Sequence, residues 1–241
     1  MTEYRKRRVD AKWAQAFLIV FCFASWVGVF VWRDSHVIVV LLTLGSVVAW
    51  SWVNLYTFIA NLLLRRSLKF IPYFVPIIAF GFDFSGTTVG YAIAIGSACV
   101  YLICTARSIA RALNPQLMAL MPRGKWDARW SETAFFTLSG VAQEYLHRYV
   151  LITFLMDDLR IGVILSVLIT TATFVFEHFT GPNGHTALTR NNIVLWTGMG
   201  IVFGAVAAFT QSYLAIIVGH VIVNLPASIR PHLRGRKKVS P

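Results

Sequence analysis

The sequence predicts an all-α polytopic membrane protein, a bundle of about eight transmembrane helices. Apolar residues make up 57% of the 241-residue chain and charged residues only 13%, with a mean hydropathy of +0.65. A soluble domain carries about 25% charged residues. Long apolar runs alternate with short basic clusters, as successive membrane crossings and their flanks do. The basic residues also fall on alternate connections, an arrangement with a physical reason only in a membrane.

Taken in order, the spans cover approximately residues 13–32, 36–61, 69–83, 87–105, 132–156, 160–179, 191–209 and 212–229. The first follows a basic segment, as the core of a secretory signal would. It is too long for that role, has no convincing small-residue cleavage site and is followed by further spans, so it reads as a retained helix. The third is short and holds Pro72 and Pro76, and is expected to be kinked or partly re-entrant. In the connection Ala106–Ser131, Arg107, Arg111, Leu113 and Leu117 suit an amphipathic piece on the interface or an ordinary solvated loop. The connection Thr180–Asn192 is polar and turn-rich around Gly181 to Gly184. The chain reads as a single membrane domain, with N-terminal helices and a loop over 1–131 and a motif-bearing core over 132–230.

With the N-terminus placed in the cytoplasm, nineteen of the 22 lysines and arginines fall on inside connections. Only Arg33 and Arg160 fall outside, and Arg148 lies within a span. An even number of crossings with both termini cytoplasmic follows from the positive-inside rule, and a prokaryotic cell membrane is the expected location. The formal net charge of +12 therefore faces lipid headgroups, and no nucleic-acid partner is expected. Cys22, Cys99 and Cys104 all lie in apolar runs and read as buried thiols, without disulfide or metal spacing.

The polar residues within the spans point to function. Away from the span ends, Glu144 and Glu177 are the only acids, and His147, Arg148, His178 and His220 accompany them, all in spans five, six and eight. A charge at the bilayer centre costs at least about 2.5 kcal/mol, so such clustering suggests a polar cavity. Helical spacing puts Glu144 on one face with Arg148, and Gln143 about 100° away with His147. Phe174 shares a face with His178, and His220 with Asn224. Plainer readings exist for each group. Glu144–Arg148 suits a structural ion pair, His220–Asn224 interhelical glue, and His147 a proton relay or a packed interior histidine. His178 suits a group reaching interfacial water, and Glu177 one that snorkels or caps a neighbour. Three histidines and Glu144 have the ligand types of a zinc site, but no HExxH spacing occurs and a metal-free, cofactor-free site is expected. Ser139 is a weak nucleophile candidate with no base at helical spacing.

Gln143-Glu144-xxx-Arg148, Phe174-xxx-His178 and His220-xxx-Asn224 resemble the EExxxR, FxxxH and HxxxN motifs of the CPBP family. These are CAAX-protease and bacteriocin-processing proteins, also called Abi or glutamic intramembrane proteases. The likeness spans residues from about 132 to 230. It implies an eight-helix bundle that hydrolyses a peptide bond in a membrane-associated or lipidated protein. It implies further that residue 143 and His178 activate a water, that His220 and Asn224 stabilise the oxyanion, and that Glu144 and Arg148 support the site.

Gln143 departs from the family at the water-activating position, because an amide can orient a water but cannot take its proton. Three explanations stand: an amide introduced by substitution that stalls hydrolysis, a naturally non-catalytic member, or Glu144 acting as base after a rotation of this helix or a local distortion. Alongside an intramembrane peptidase, the residues leave open a non-catalytic peptide-binding or immunity-type protein. They also leave open a small proton-coupled transporter using Glu144, His147 and His220. Substrate identity and oligomeric state have no signature in the sequence.

Overall fold

The computed structural model describes residues 12–53, 55, 59, 61–122, 124–180 and 189–235, and every regular element among them is helical. Helices α1 (Lys12–Val31) and α2 (His36–Ser51) pack as a pair. A broken stretch follows: α3 (Leu62–Ser67), a tighter turn at Leu68–Phe70, then α4 (Ile71–Phe74) and α5 (Ile77–Phe80). Next come α6 (Thr88–Ala112), the short α7 (Pro115–Leu120) and α8 (Trp126–Glu144). Beyond α8 the helix widens to π geometry at Tyr145–Val150, returns to α9 (Leu151–Thr153), and widens again at Phe154–Asp158. The chain closes with α10 (Val163–Thr180), α11 (Arg190–Thr210) and α12 (Tyr213–Leu233).

By length and composition α1, α6, α11 and α12 can each cross a membrane, and α2 and α10 are shorter apolar helices. Large apolar side chains such as Phe17, Ile103 and Ile164 point outward, where lipid is as good a solvent for them as a protein core. Cys22 is buried as expected, but Cys99 and Cys104 face outward from the bundle.

Several boundaries differ from those the sequence predicts. The second helix stops at Ser51 because the chain turns back, so that Trp50 Nε1 donates to the Leu68 carbonyl at 2.8 Å. The third span is broken as Pro72 and Pro76 suggest, each proline lacking a helical N–H. Helix α6 runs through Arg107 and Arg111 to Ala112, so these residues extend the span, and the separate piece is α7, capped by Asn114. Arg5 to Arg8, Arg123, Gly181 to Gly184 and Arg236 to Lys238 lie outside the described residues.

Contacts between connections sort them into two ends. His36 binds Asp158 and stacks on Phe80 at one end, where Thr87 also meets Ser212. At the other end Glu132 faces Arg66 and Arg234, and Gly235 N–H donates to the Met118 carbonyl. These are the groupings that eight alternating crossings require, with the basic cluster at one end.

Helix α12 lies along both α8 and α6, while α10 lies on α11. The latter contact is close because Gly200 and Gly204 present no side chain: a Cβ at Gly200 would fall 2.7 Å from Thr171 Cγ2, and one at Gly204 would fall 3.1 Å from Val167 Cγ1. Small residues four apart commonly permit such approach in membranes. The resulting interior is where α8, α10 and α12 bring their polar residues together.

Candidate active site

Gln143 and Glu144 lie in the last regular turn of α8, so their side chains leave the helix about 100° apart. Gln143 points to α10 and Glu144 to α12. One turn earlier stands Gly140, where a Cβ would lie 3.3 Å from His220 Cδ2. The missing side chain lets the imidazole of α12 come up against α8.

The widened turn begins immediately after Glu144. No glycine or proline lies within it, and its anchors are tertiary. The hydroxyls of Tyr145 and Tyr149 donate to the carbonyls of Gly81 and Phe80 at 2.8 and 3.0 Å. They thereby satisfy carbonyls at the end of α5 that have no helical partner. Wide turns of this kind often occur at functional sites.

Two carboxylates organise the polar interior. Glu144, 1% exposed, accepts a hydrogen bond from His220 Nδ1 at 2.5 Å and faces the fully buried Arg148 at 3.5 Å. The pair attracts by charge rather than by an aligned hydrogen bond, since Glu144 Oε2 and Arg148 Nε have no such partner among the described residues. The guanidinium also lies 4.8 Å from the Phe174 ring centroid and donates to the Thr170 carbonyl. The ring of Phe174 further meets His147, His178 and His220 edge-on. With Nδ1 donating to Glu144, His220 can donate from Nε2 as well only as an imidazolium, for which Glu144 is the counter-charge.

Glu177 is the second centre. Its Oε1 accepts from Gln143 Nε2 at 2.9 Å and from the Tyr73 hydroxyl at 2.5 Å, and its Oε2 accepts from His147 Nε2 at 2.6 Å. The expectation that Glu177 snorkels to the interface is therefore corrected: its side chain is 15% exposed and turned into the bundle. His147 is a buried partner of this carboxylate. His178, the next residue, donates from Nδ1 to the Phe174 carbonyl at 2.8 Å and stacks on Trp196 of α11. That bond fixes a neutral ring as the tautomer whose Nε2 carries a lone pair. Glu144 itself is held between His220 and Arg148.

A cavity of about 410 Å³ is lined by Gln143, Glu144, Arg148, His178, His220 and Asn224 together with Glu177 and Tyr73. Lys69 stands in its wall, toward the basic end. All six residues picked out by motif thus reach one space. Asn224 serves in it differently from a free amide, since Nδ2 donates to the Phe136 carbonyl at 3.0 Å and lies 3.4 Å from Ser139 Oγ. Ser139 donates to the same carbonyl, which makes it a docking group between α8 and α12. Among the described residues no three His, Cys, Asp or Glu side chains group as a metal-holding set.

Residues 125–226, which span α8 to α12 and all three motifs, match the family described as type II CAAX prenyl endopeptidase, Rce1-like. Over these residues the chain is similar to a family of membrane proteases, in agreement with the resemblance of the three motifs. The chain matches no curated protein and no solved structure. The matched segment runs from α8 into α12, whereas Tyr73 reaches Glu177 from the broken stretch outside it. A tyrosine between the two prolines of a short apolar segment was the available sign of Tyr73. For Glu177 the sign was an acid placed directly before His178.

Proposed function

We propose that this protein is an intramembrane endopeptidase that hydrolyses a peptide bond in a membrane-associated substrate, of the prenylated CAAX type that the family description names. The observation that carries the reading is the convergence of the three motifs on one cavity, with His178 held in the tautomer whose Nε2 can accept a proton. The cavity offers the parts that amide hydrolysis needs: a proton acceptor beside a water site, donors for the oxyanion, and walls that limit bulk water.

In this reading His178 Nε2 orients the water, and Gln143 lines the same side of the cavity as a hydrogen-bonding amide. His220, hydrogen-bonded to Glu144 through Nδ1, and Asn224 line the wall that faces the oxygen of the tetrahedral adduct. Arg148 neutralises Glu144 from the other side and is a positioning residue. The chemistry requires no metal. Substrate would enter from the basic end, where Lys69 stands, and both termini would lie on the cytoplasmic side.

The test is cleavage of a farnesylated peptide with a CAAX end by the purified protein in phosphatidylcholine vesicles. The expected result is release of the terminal peptide, with kcat reduced at least ~100-fold by His178→Ala, within the range of general acid–base contributions. Full cleavage by His178→Ala would overturn the role given to His178, and binding of the peptide without cleavage even in Gln143→Glu would replace this reading with that of a non-catalytic peptide-binding protein.

A further inference from the structure

We propose, resting on the peptidase reading above, that Glu177 is the general base of this site, a carboxylate transposed to α10 from the position that Gln143 occupies on α8. The carboxylate and the amide are joined by one hydrogen bond of 2.9 Å, so the negative charge lies one hydrogen-bond length from the residue-143 side chain. Both Glu177 and His178 line the cavity from consecutive positions of the same helix. Their side chains leave the helix about 100° apart, and because both reach the cavity, a water lying between them would meet both groups.

The neighbours of Glu177 hold it in the ionised form. Tyr73, Gln143 and His147 can all act as donors to it, and donors complement the ionised form, the form a base must have at the start of the reaction. The one other acid in the cavity, among the described residues, is Glu144. It is held between His220 and Arg148 and is 1% exposed. An amide at 143 is then an aid rather than a defect. It donates to Glu177, and a second glutamate there would put two negative charges within hydrogen-bonding distance.

The step balances as follows. As the water oxygen bonds to the carbonyl carbon of the peptide, one water proton passes to Glu177, and the carbonyl oxygen takes up the negative charge. The carbon–nitrogen bond of the adduct then breaks, and Glu177 returns its proton to the leaving nitrogen. One product ends in a carboxyl group and the other begins with an amine, and Glu177 is again ionised.

The experiment exchanges the two groups. Cleavage of the farnesylated peptide is measured for the parent protein, Glu177→Gln, Gln143→Glu and the double variant Gln143→Glu/Glu177→Gln, with the unfolding temperature of each recorded in detergent. The expected result is an active parent, at least ~100-fold loss of kcat with little change in KM for Glu177→Gln, and recovery to within ~10-fold of the parent in the double variant. Glu177→Gln retaining parental kcat would overturn the assignment, as would a double variant that stays folded and inactive. A parent that cleaves only after Gln143→Glu would also overturn it while leaving the peptidase reading intact. If none of the four proteins cleaves, both fall.

Discussion

Replacing Arg148 with methionine removes the positive charge that faces Glu144 while keeping most of the buried volume. The two groups are 3.5 Å apart, and both are essentially excluded from solvent, at 0% and 1% side-chain exposure. At an effective dielectric constant of 20 their attraction is about 5 kcal/mol. Breaking a buried pair from one side costs about 3–5 kcal/mol, because the remaining charge stays buried. His220 continues to donate to Glu144, and loss of the guanidinium over Phe174 adds about 1–2 kcal/mol. A loss of about 4–7 kcal/mol corresponds to a fall of about 8–28 °C in unfolding temperature for a chain of this size. The assay is thermal unfolding in detergent micelles, followed by circular dichroism, for Arg148→Met, Glu144→Gln and the double variant. The double variant should be more stable than Arg148→Met, since it leaves no unpaired charge, and the two substitutions should couple by more than about 1 kcal/mol. An Arg148→Met protein that unfolds within 1–2 °C of the parent, or strictly additive losses, would refute the view that Glu144 is held by its charge partner.

Two further outcomes follow from the packing. Tyr73→Phe deletes one donor to Glu177, a hydrogen bond to a charged group worth about 1.5–3 kcal/mol. It should lower the unfolding temperature and also kcat for the farnesylated peptide, whereas Tyr149→Phe, whose hydroxyl binds the Phe80 carbonyl, should lower stability alone. Gly200→Leu forces atoms into Thr171, already 2.7 Å from an added Cβ, and overpacking of this kind costs about 1–3 kcal/mol or more. Its measure is the unfolding temperature, with Gly198→Leu, at a site with open space around the Cβ, as the comparison that should change little.

The sequence was sufficient for side-chain spacing along a single helix. Composition and the placement of basic residues give a helical membrane protein with alternating ends, because lipid requires each crossing to satisfy its own backbone. The 3.6-residue period pairs Glu144 with Arg148 and sends Gln143 and His147 to another side. In the folded chain the first pair do face each other, and Gln143 and His147 do share a target. The prolines at 72 and 76 likewise announce a broken span, since a missing N–H is a local fact.

Relations between helices were not legible in this way. Glu177 looked peripheral from its place near the end of a span, yet the rotation of α10 about its axis, set by its fit against the glycines of α11, turns it inward. His220 and Asn224 share a face one turn apart, but that spacing does not name Glu144 as the acceptor of His220 Nδ1 across the gap that Gly140 leaves open. Tyr73 arrives from a segment more than 100 positions away, and the wide turn after Glu144 has no residue in it that would announce one. Side-chain spacing along one helix is fixed by covalent geometry, and so a sequence carries it. The depth, tilt and rotation with which helices meet depend on the sum of many packing contacts, and only the tertiary structure decides that the carboxylate beside residue 143 comes from α10.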